Sequence, residues 1–231
     1  MLLTLDELVT ADADTRLAEL ARTFRRIATD GAFPCIFSHL PFSAGAAYFS
    51  LFRRDPEVGR AIYAELRSLL HVLSSRPEAI AVLFVEGGTD EAASTLDGDL
   101  QLARSIVAAI RAEECRRHGP ESLGPADPSW SLKVDGVEIF LNFSSPNHVL
   151  RTSRNLGPAF TVVAQPRASF DHGGRAGPAA REEIRRRLSA YDGVEPHPCL
   201  GRYGAPGNRE ALQYFLGDGT AAHDVLEVPH E

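Results

Sequence analysis

The order of apolar and polar positions divides the chain into helices and short strands. Over 2–29, Leu5, Leu8, Leu17, Leu20, Phe24 and Ile27 recur at roughly helical spacing, and Asp14 or Thr15 can cap a second segment. Pro34 interrupts that pattern, so 35–37 starts a short strand or turn. AAYFSLF at 46–52 reads as a strand, ended by the charged RRDPE. Val58, Ile62, Leu66, Leu69 and Leu73 make one face of a helix over 56–73. AIAVLFV at 79–85 has the continuous apolar run of a buried strand. EGGTDEAASTLDGD then reads as a loop, and 100–115 as an amphipathic helix through Leu102, Ile106, Ala109 and Ile110.

SLKVDGVEIFLNF alternates about Asp135-Gly136, a strong hairpin signal. AFTVVA at 159–164 is a further strand, and 178–191 a basic helix. The tail from Glu195 is a loop followed by a short helix from about Asn208. The pattern predicts an α+β fold with helices around a mixed or antiparallel sheet. It predicts a single compact domain over 1–231, with an N-terminal helical segment at 1–30 and a Pro/Gly-rich internal loop at 116–129.

Composition then limits the function classes. The 231 residues are 44% hydrophobic and carry a net charge of -7, which disfavours a protein that coats nucleic acid or an anionic membrane. Lys133 is the only lysine, so the positive charge is nearly all arginine, the side chain that grips carboxylates bidentately. Cys35, Cys115 and Cys199 form no CxxC pair, so a structural zinc site is not expected. The first residues are acidic where a signal peptide is basic, and no run approaches the roughly 20 apolar residues of a membrane span. The expectation is a cytoplasmic protein with reduced thiols. GxGxxG, GxxxxGK[ST], HExxH and GxSxG are all absent, which disfavours nucleotide-fold enzymes and the common hydrolases.

Three segments concentrate chemically capable residues. In the first, Cys35 follows Phe33-Pro34, with Ser38 and His39 close behind. The thiol can be a nucleophile, an iron ligand or simply a small buried apolar group. In the second, 144–158, Asn147, His148, Arg151, Arg154 and Asn155 crowd between two apolar strands. A solvated turn is the plain alternative, but sites concentrate on loops borne by rigid strands. In the third, 195–204, His197 is fixed between two prolines and stands two residues from Cys199. It can be a metal ligand or a rigid loop packed on the core.

Together these segments resemble the YqcI/YcgG family. The resemblance rests on FPCIF, on DGVEIFLNFSSPNHVLRTSRNLGPAFTVVAQPRASFD and on HPCLGRYGAPGNREALQYFLGD, spanning most of 33–218. SRNLGP and QPRASFD are its most specific parts, and 75–128 adds little. The resemblance implies a haem b enzyme that N-hydroxylates a guanidine group of L-arginine or an arginine-derived metabolite in a natural-product pathway, such as antibiotic biosynthesis. It implies iron, molecular oxygen, an external reductant or electron donor and a small-molecule guanidine substrate, without nucleic acid or membrane, and it allows a homodimer.

Carried to these residues, the resemblance makes His148 the first choice of axial ligand and catalytic centre, with Cys35 as the alternative and His197 third. Arg151 and Arg154 would pair with the haem propionates, helped by Arg202. Asp171, Glu195 or Glu210 would face the guanidinium, and Arg167 would clamp a substrate carboxylate. Two other readings stay open. One is a haem-binding sensor without turnover. The other is a haem-free cysteine enzyme pairing Cys35 with His39 or His197.

Overall fold

The computed structural model describes residues 3–4, 7–8, 15–87 and 95–227. Asp14 and most of the acidic loop before Thr95 lie outside them. Among the described residues the chain runs β1 (Leu3–Thr4), α1 (Arg16–Ala28), a short α2 (Leu40–Ser43), β2 (Ala47–Arg53), α3 (Val58–Ser75), β3 (Ile80–Glu86) and α4 (Leu96–His118). It continues through β4 (Leu132–Val134), β5 (Val137–Ser144), β6 (Phe160–Pro166), α5 (Pro178–Asp192) and α6 (Ala211–Tyr214). No described helix is long and apolar enough to cross a membrane.

The strands form one six-stranded sheet in the order β1-β2-β3-β6-β5-β4. β2 and β3 are parallel, joined by α3 as a crossover, and every other pairing is antiparallel. The fold is thus α+β with a mixed sheet. At the hairpin, Asp135 at φ 49° and Gly136 at φ 81° take the left-handed conformations that a two-residue turn requires. Glu114 on α4 accepts the backbone N–H groups of both turn residues and the Tyr63 hydroxyl, which ties the hairpin to the helical layer.

β3 is apolar from Ile80 to Val85 because both its faces are covered. Ala81, Leu83 and Val85 meet α3 and α4, while Ile80, Val82 and Phe84 meet α1. Thr15 caps α1 by accepting from the Ala18 N–H, and Ala18, Leu20, Ala21, Phe24 and Ala28 form its buried stripe. Leu3 and Thr4 differ from the helical reading of the N-terminus. They pair with Phe49 and Tyr48 as an edge strand, because β2 offers them an open hydrogen-bonding edge. The residues Arg116, Arg117 and His118, read as loop, complete the last turn of α4, where cations suit the helix C-terminus. Likewise Leu96–Asp99, read as loop, form its first turn behind a Thr95 cap.

α1 covers only the β1-β2-β3 side of its face. Beyond it, Phe140 and Asn142 on β5 and Val163 and Gln165 on β6 continue the same surface, in register with one another. α5 lies across that end but has no buried side chain. The functional question therefore turns to the space between α5 and the sheet.

α3 and α4 approach closely at Gly59, where an added Cβ would come within 2.5 Å of the Ala109 Cβ. Gly59→Val should destabilise the protein by about 1–3 kcal/mol through overpacking. The midpoint of urea denaturation measures it, and an unchanged midpoint would mean that the two helices can move apart freely.

Candidate functional site

A cavity of about 240 Å³ lies between the β5-β6 end of the sheet, the 33–38 turn and α5. Phe33, Phe37, Phe140, Phe170 and Leu156 make its walls apolar, and Cys35 opens onto it. Burial pushes the Cys35 thiol up from its ordinary value. The backbone N–H groups of Phe37 and Ser38, then the charges of Arg175 and Arg187, pull it back down. The side chain thus sits in an apolar pocket where burial outweighs those donors and favours the neutral thiol.

A second cavity of about 390 Å³ adjoins the first and shares Phe140, Phe170, Arg175 and Ile184 with it. The two phenyl rings meet edge to face at 5.3 Å. Charged side chains border this second space, beside apolar ones. Arg181 on α5 and Arg202 on the 201–204 loop border it, and Glu210 closes its inner end. Glu210 is 2% exposed, and its Oε1 accepts from the Ser131 hydroxyl at 3.0 Å and the Tyr214 hydroxyl at 3.4 Å. Burial raises its carboxyl to about 7, against the opposing pull of Ser131 and Arg167. A carboxylate so shifted, within a cavity, marks a candidate functional group.

The structure places the residues singled out in 144–158 elsewhere. His148 is buried against Phe215, with Nε2 2.8 Å from the Leu216 carbonyl and Nδ1 3.3 Å from that of Ser145. Both ring nitrogens therefore face backbone acceptors, and His148 lines neither cavity. Burial lowers its pKa, favouring the neutral ring that donates to Leu216. The Arg151 guanidinium donates to the carbonyls of Gly217, Glu195 and Gly219. Arg154 donates to Asn142 Oδ1, whose residue lines the Cys35 cavity, and burial lowers the guanidinium to about 10.

The loop itself is held by carboxylates from three other elements. Asp99 on α4 accepts from Arg54, Ser145 and Asn147. Asp218 accepts the backbone N–H groups of Val149, Leu150 and Arg151. Asp192, at the end of α5, accepts from the Ser153 N–H and hydroxyl. The polar crowding thus satisfies an irregular buried backbone.

His197 is likewise engaged. Its Nδ1 accepts the Cys199 N–H at 3.1 Å, which leaves Nε2 to donate to the Ala221 carbonyl at 3.2 Å. His39 is exposed, and among the described residues no histidine lines the Cys35 cavity, so neither His39 nor His197 stands beside the thiol there. Asp171 is exposed and pairs bidentately with Arg167. Glu195 is exposed, and its backbone carbonyl receives Arg151. Arg167 and Arg202 do border the second cavity. Among the described residues, no three His, Cys, Asp or Glu side chains gather as a metal-ligand set.

Arg175 and Arg181 were not singled out from the sequence. The signal for the cavity lay in β5, where Ile139, Leu141 and Phe143 enter the core while Phe140 and Asn142 alternate with them on the opposite face. An asparagine on an otherwise covered sheet face marks space beside it.

A model of the YqcI/YcgG family matches residues 24–230. The chain belongs to the YqcI/YcgG family. Within it, the chain is 42% identical over 96 residues to "Putative N(omega)-hydroxy-L-arginine synthase DcsA" of Streptomyces lavendulae, covering 40% of this chain and 36% of that one. It is 45% identical over 105 residues to uncharacterized protein YcgG of Bacillus subtilis (strain 168), covering 43% and 41%. Uncharacterized protein YqcI of the same strain is 38% identical over 97 residues, covering 41% and 38%. The matched stretches thus span about two fifths or less of these curated relatives. No solved structure matches the chain.

Two outcomes follow from the buried charges. Asp99→Ala leaves the partly buried Arg54 and two loop donors short of an acceptor and should cost about 3 kcal/mol in chemical denaturation. A loss under 1 kcal/mol would mean that Asp99 does not hold the loop. For Glu210, the folded pKa stands above the unfolded one, so its contribution is full below 4.5 and disappears as pH rises toward 7. Glu210→Gln should therefore gain stability relative to the parent as pH rises from 4.5 to 7, by up to about 3 kcal/mol. Parallel pH–stability curves for the two proteins would contradict that burial effect.

Proposed function

We propose that this chain binds haem b against Cys35 and N-hydroxylates a guanidine group, on L-arginine or an arginine-derived metabolite. The observation that carries the reading is a single cysteine on an apolar cavity that continues into a space ending at a buried carboxylate. The name of the Streptomyces lavendulae relative points to the same chemistry.

The residues suit such a cofactor. A haem needs one strong donor to iron, flat apolar walls and cations for its propionates. Cys35 offers the donor, Phe33, Phe37, Phe140 and Phe170 the walls, and Arg175 and Arg181 the cations. His148 and Arg151, first choices from sequence order, have their polar atoms engaged by backbone. When bound, haem supplies the activation of molecular oxygen, with electrons from an external reductant.

The chain's own part is to position and to exclude water. The backbone donors at Phe37 and Ser38 partly offset the burial that favours the neutral thiol of Cys35. The Phe140–Phe170 pair lies where the two cavities meet and keeps that passage apolar. Overall, one oxygen atom enters the guanidine N–H bond and the other leaves as water, consuming two electrons and two protons.

The Soret band of the haem-reconstituted protein tests the site. Cys35→Ala should lose or strongly shift the band, whereas His148→Ala should keep it while lowering the melting temperature. The reverse pattern would return the ligand to His148. Incubation with L-arginine, oxygen and a reductant should give the mass gain of one oxygen atom; retention of haem without that product would favour a binding protein without turnover.

A further inference from the structure

The second cavity has a charge pattern of its own. Glu210 is 2% exposed, and only its Oε1 is used internally, by Ser131 and Tyr214. Among the described residues, Oε2 accepts no hydrogen bond, and the carboxylate lines the cavity. A buried charge without a full set of partners is costly, and a cationic ligand relieves that cost. Arg167, whose charge acts on Glu210, donates through Nη2 to both oxygens of Asp171 and lies 4.4 Å over the Tyr203 ring. Toward the outside, Arg181 and Arg202 border the same cavity. With Glu210 buried, the exposed Asp171 answered by Arg167, and Arg202 exposed on the same cavity, the space is complementary to an elongated molecule with a cationic head and an anionic tail.

We infer that Glu210 is the group that receives the guanidinium of the substrate, with Arg202 facing the opposite, carboxylate end. The inference rests on the guanidine reading above and names the residue that discriminates a cationic substrate from a neutral one. A guanidinium presents two parallel N–H donors, and a carboxylate whose second oxygen is uncommitted can accept them. An isosteric urea would leave that buried carboxylate unmatched, so the site should reject it.

The charged and titratable groups facing Glu210 are Arg167 after β6, Glu138 on β5, Tyr203 on the 201–204 loop and Tyr214 on α6. Both tyrosines are pushed above the ordinary phenol value, so neither titrates near neutrality. With its carboxyl near 7, Glu210 loses its charge as pH falls through neutrality, and binding of a cation falls with it. The same cavity should therefore take L-arginine about tenfold less tightly at pH 6 than at pH 8.

Calorimetric titration of the haem-loaded protein with L-arginine and with L-citrulline, its neutral isostere, tests this. The parent protein should prefer L-arginine by about tenfold or more at pH 8. Glu210→Gln should bring the two ligands within about twofold and flatten the pH profile, with its Soret band unchanged and its fold retained. Glu138→Gln should keep the preference for L-arginine and move the profile to lower pH, because the Glu138 charge helps to raise the Glu210 carboxyl. If Glu210→Gln binds L-arginine as tightly as the parent, the assignment of Glu210 is overturned while the guanidine reading survives. If the parent itself binds neither ligand, the guanidine reading fails and takes the assignment with it.

Discussion

The carboxylate of Asp99 is the interaction on which the arrangement of this molecule depends. It is 1% exposed, inside the first turn of α4, and holds Arg54 from beyond β2 together with Ser145 and Asn147 from beyond β5. One charged group thus joins the helical layer, the edge of the parallel pair and the loop that turns β5 back into β6. That loop sets where β6 begins, and β6 carries Val163 and Gln165 beside Phe140 and Asn142 of β5. A slip of one residue would send the cavity-facing side chains to the other face of the sheet. The buried polar network far from the cavity therefore positions its floor.

The same division explains why a cavity exists at this end. On the other face of the sheet, α3 and α4 bring an unbroken set of apolar side chains against every strand from β3 to β4. On this face, α1 ends its cover at β3, and the remaining surface meets only the 33–38 turn and a helix with no buried side chain. α5 is highly charged, with REEIRRR in its middle, and presents Ile184 to both cavities. Such a helix cannot seal a core as α3 does. It can border a binding space, offering arginines to an anionic partner while the sheet supplies the apolar floor.

Most of the fold was legible because its periodicities are unambiguous. Val58 to Leu73 at helical spacing, the apolar run of β3 and the Asp135-Gly136 turn each have one physical interpretation, and each formed as read. The edge strand at Leu3 was not legible, since two residues carry no period and the pairing depends on what β2 leaves open. The site was legible by segment and not by residue. Cys35 is marked by its place after Phe33-Pro34, and it does reach a cavity. His148, Arg151 and Asn147 are marked by their crowding, yet crowding reports any irregular backbone that must be satisfied when buried.

This contrast separates two reasons why a loop is rich in polar residues. In 145–155, each conspicuous side chain is answered by protein: Arg151 by three carbonyls, His148 by Leu216, and the backbone by Asp192 and Asp218. Such a group has no bonding capacity to offer a ligand without first breaking a buried hydrogen bond, which costs about 1–3 kcal/mol. Glu210 is as deeply buried as His148, but half its accepting capacity is uncommitted and its space is open to a ligand. Sequence reports that a polar residue is placed among apolar ones. Only the tally of its partners tells whether it serves the fold or is free for a ligand, and by that tally Glu210 keeps an accepting oxygen that His148 and Arg151 lack.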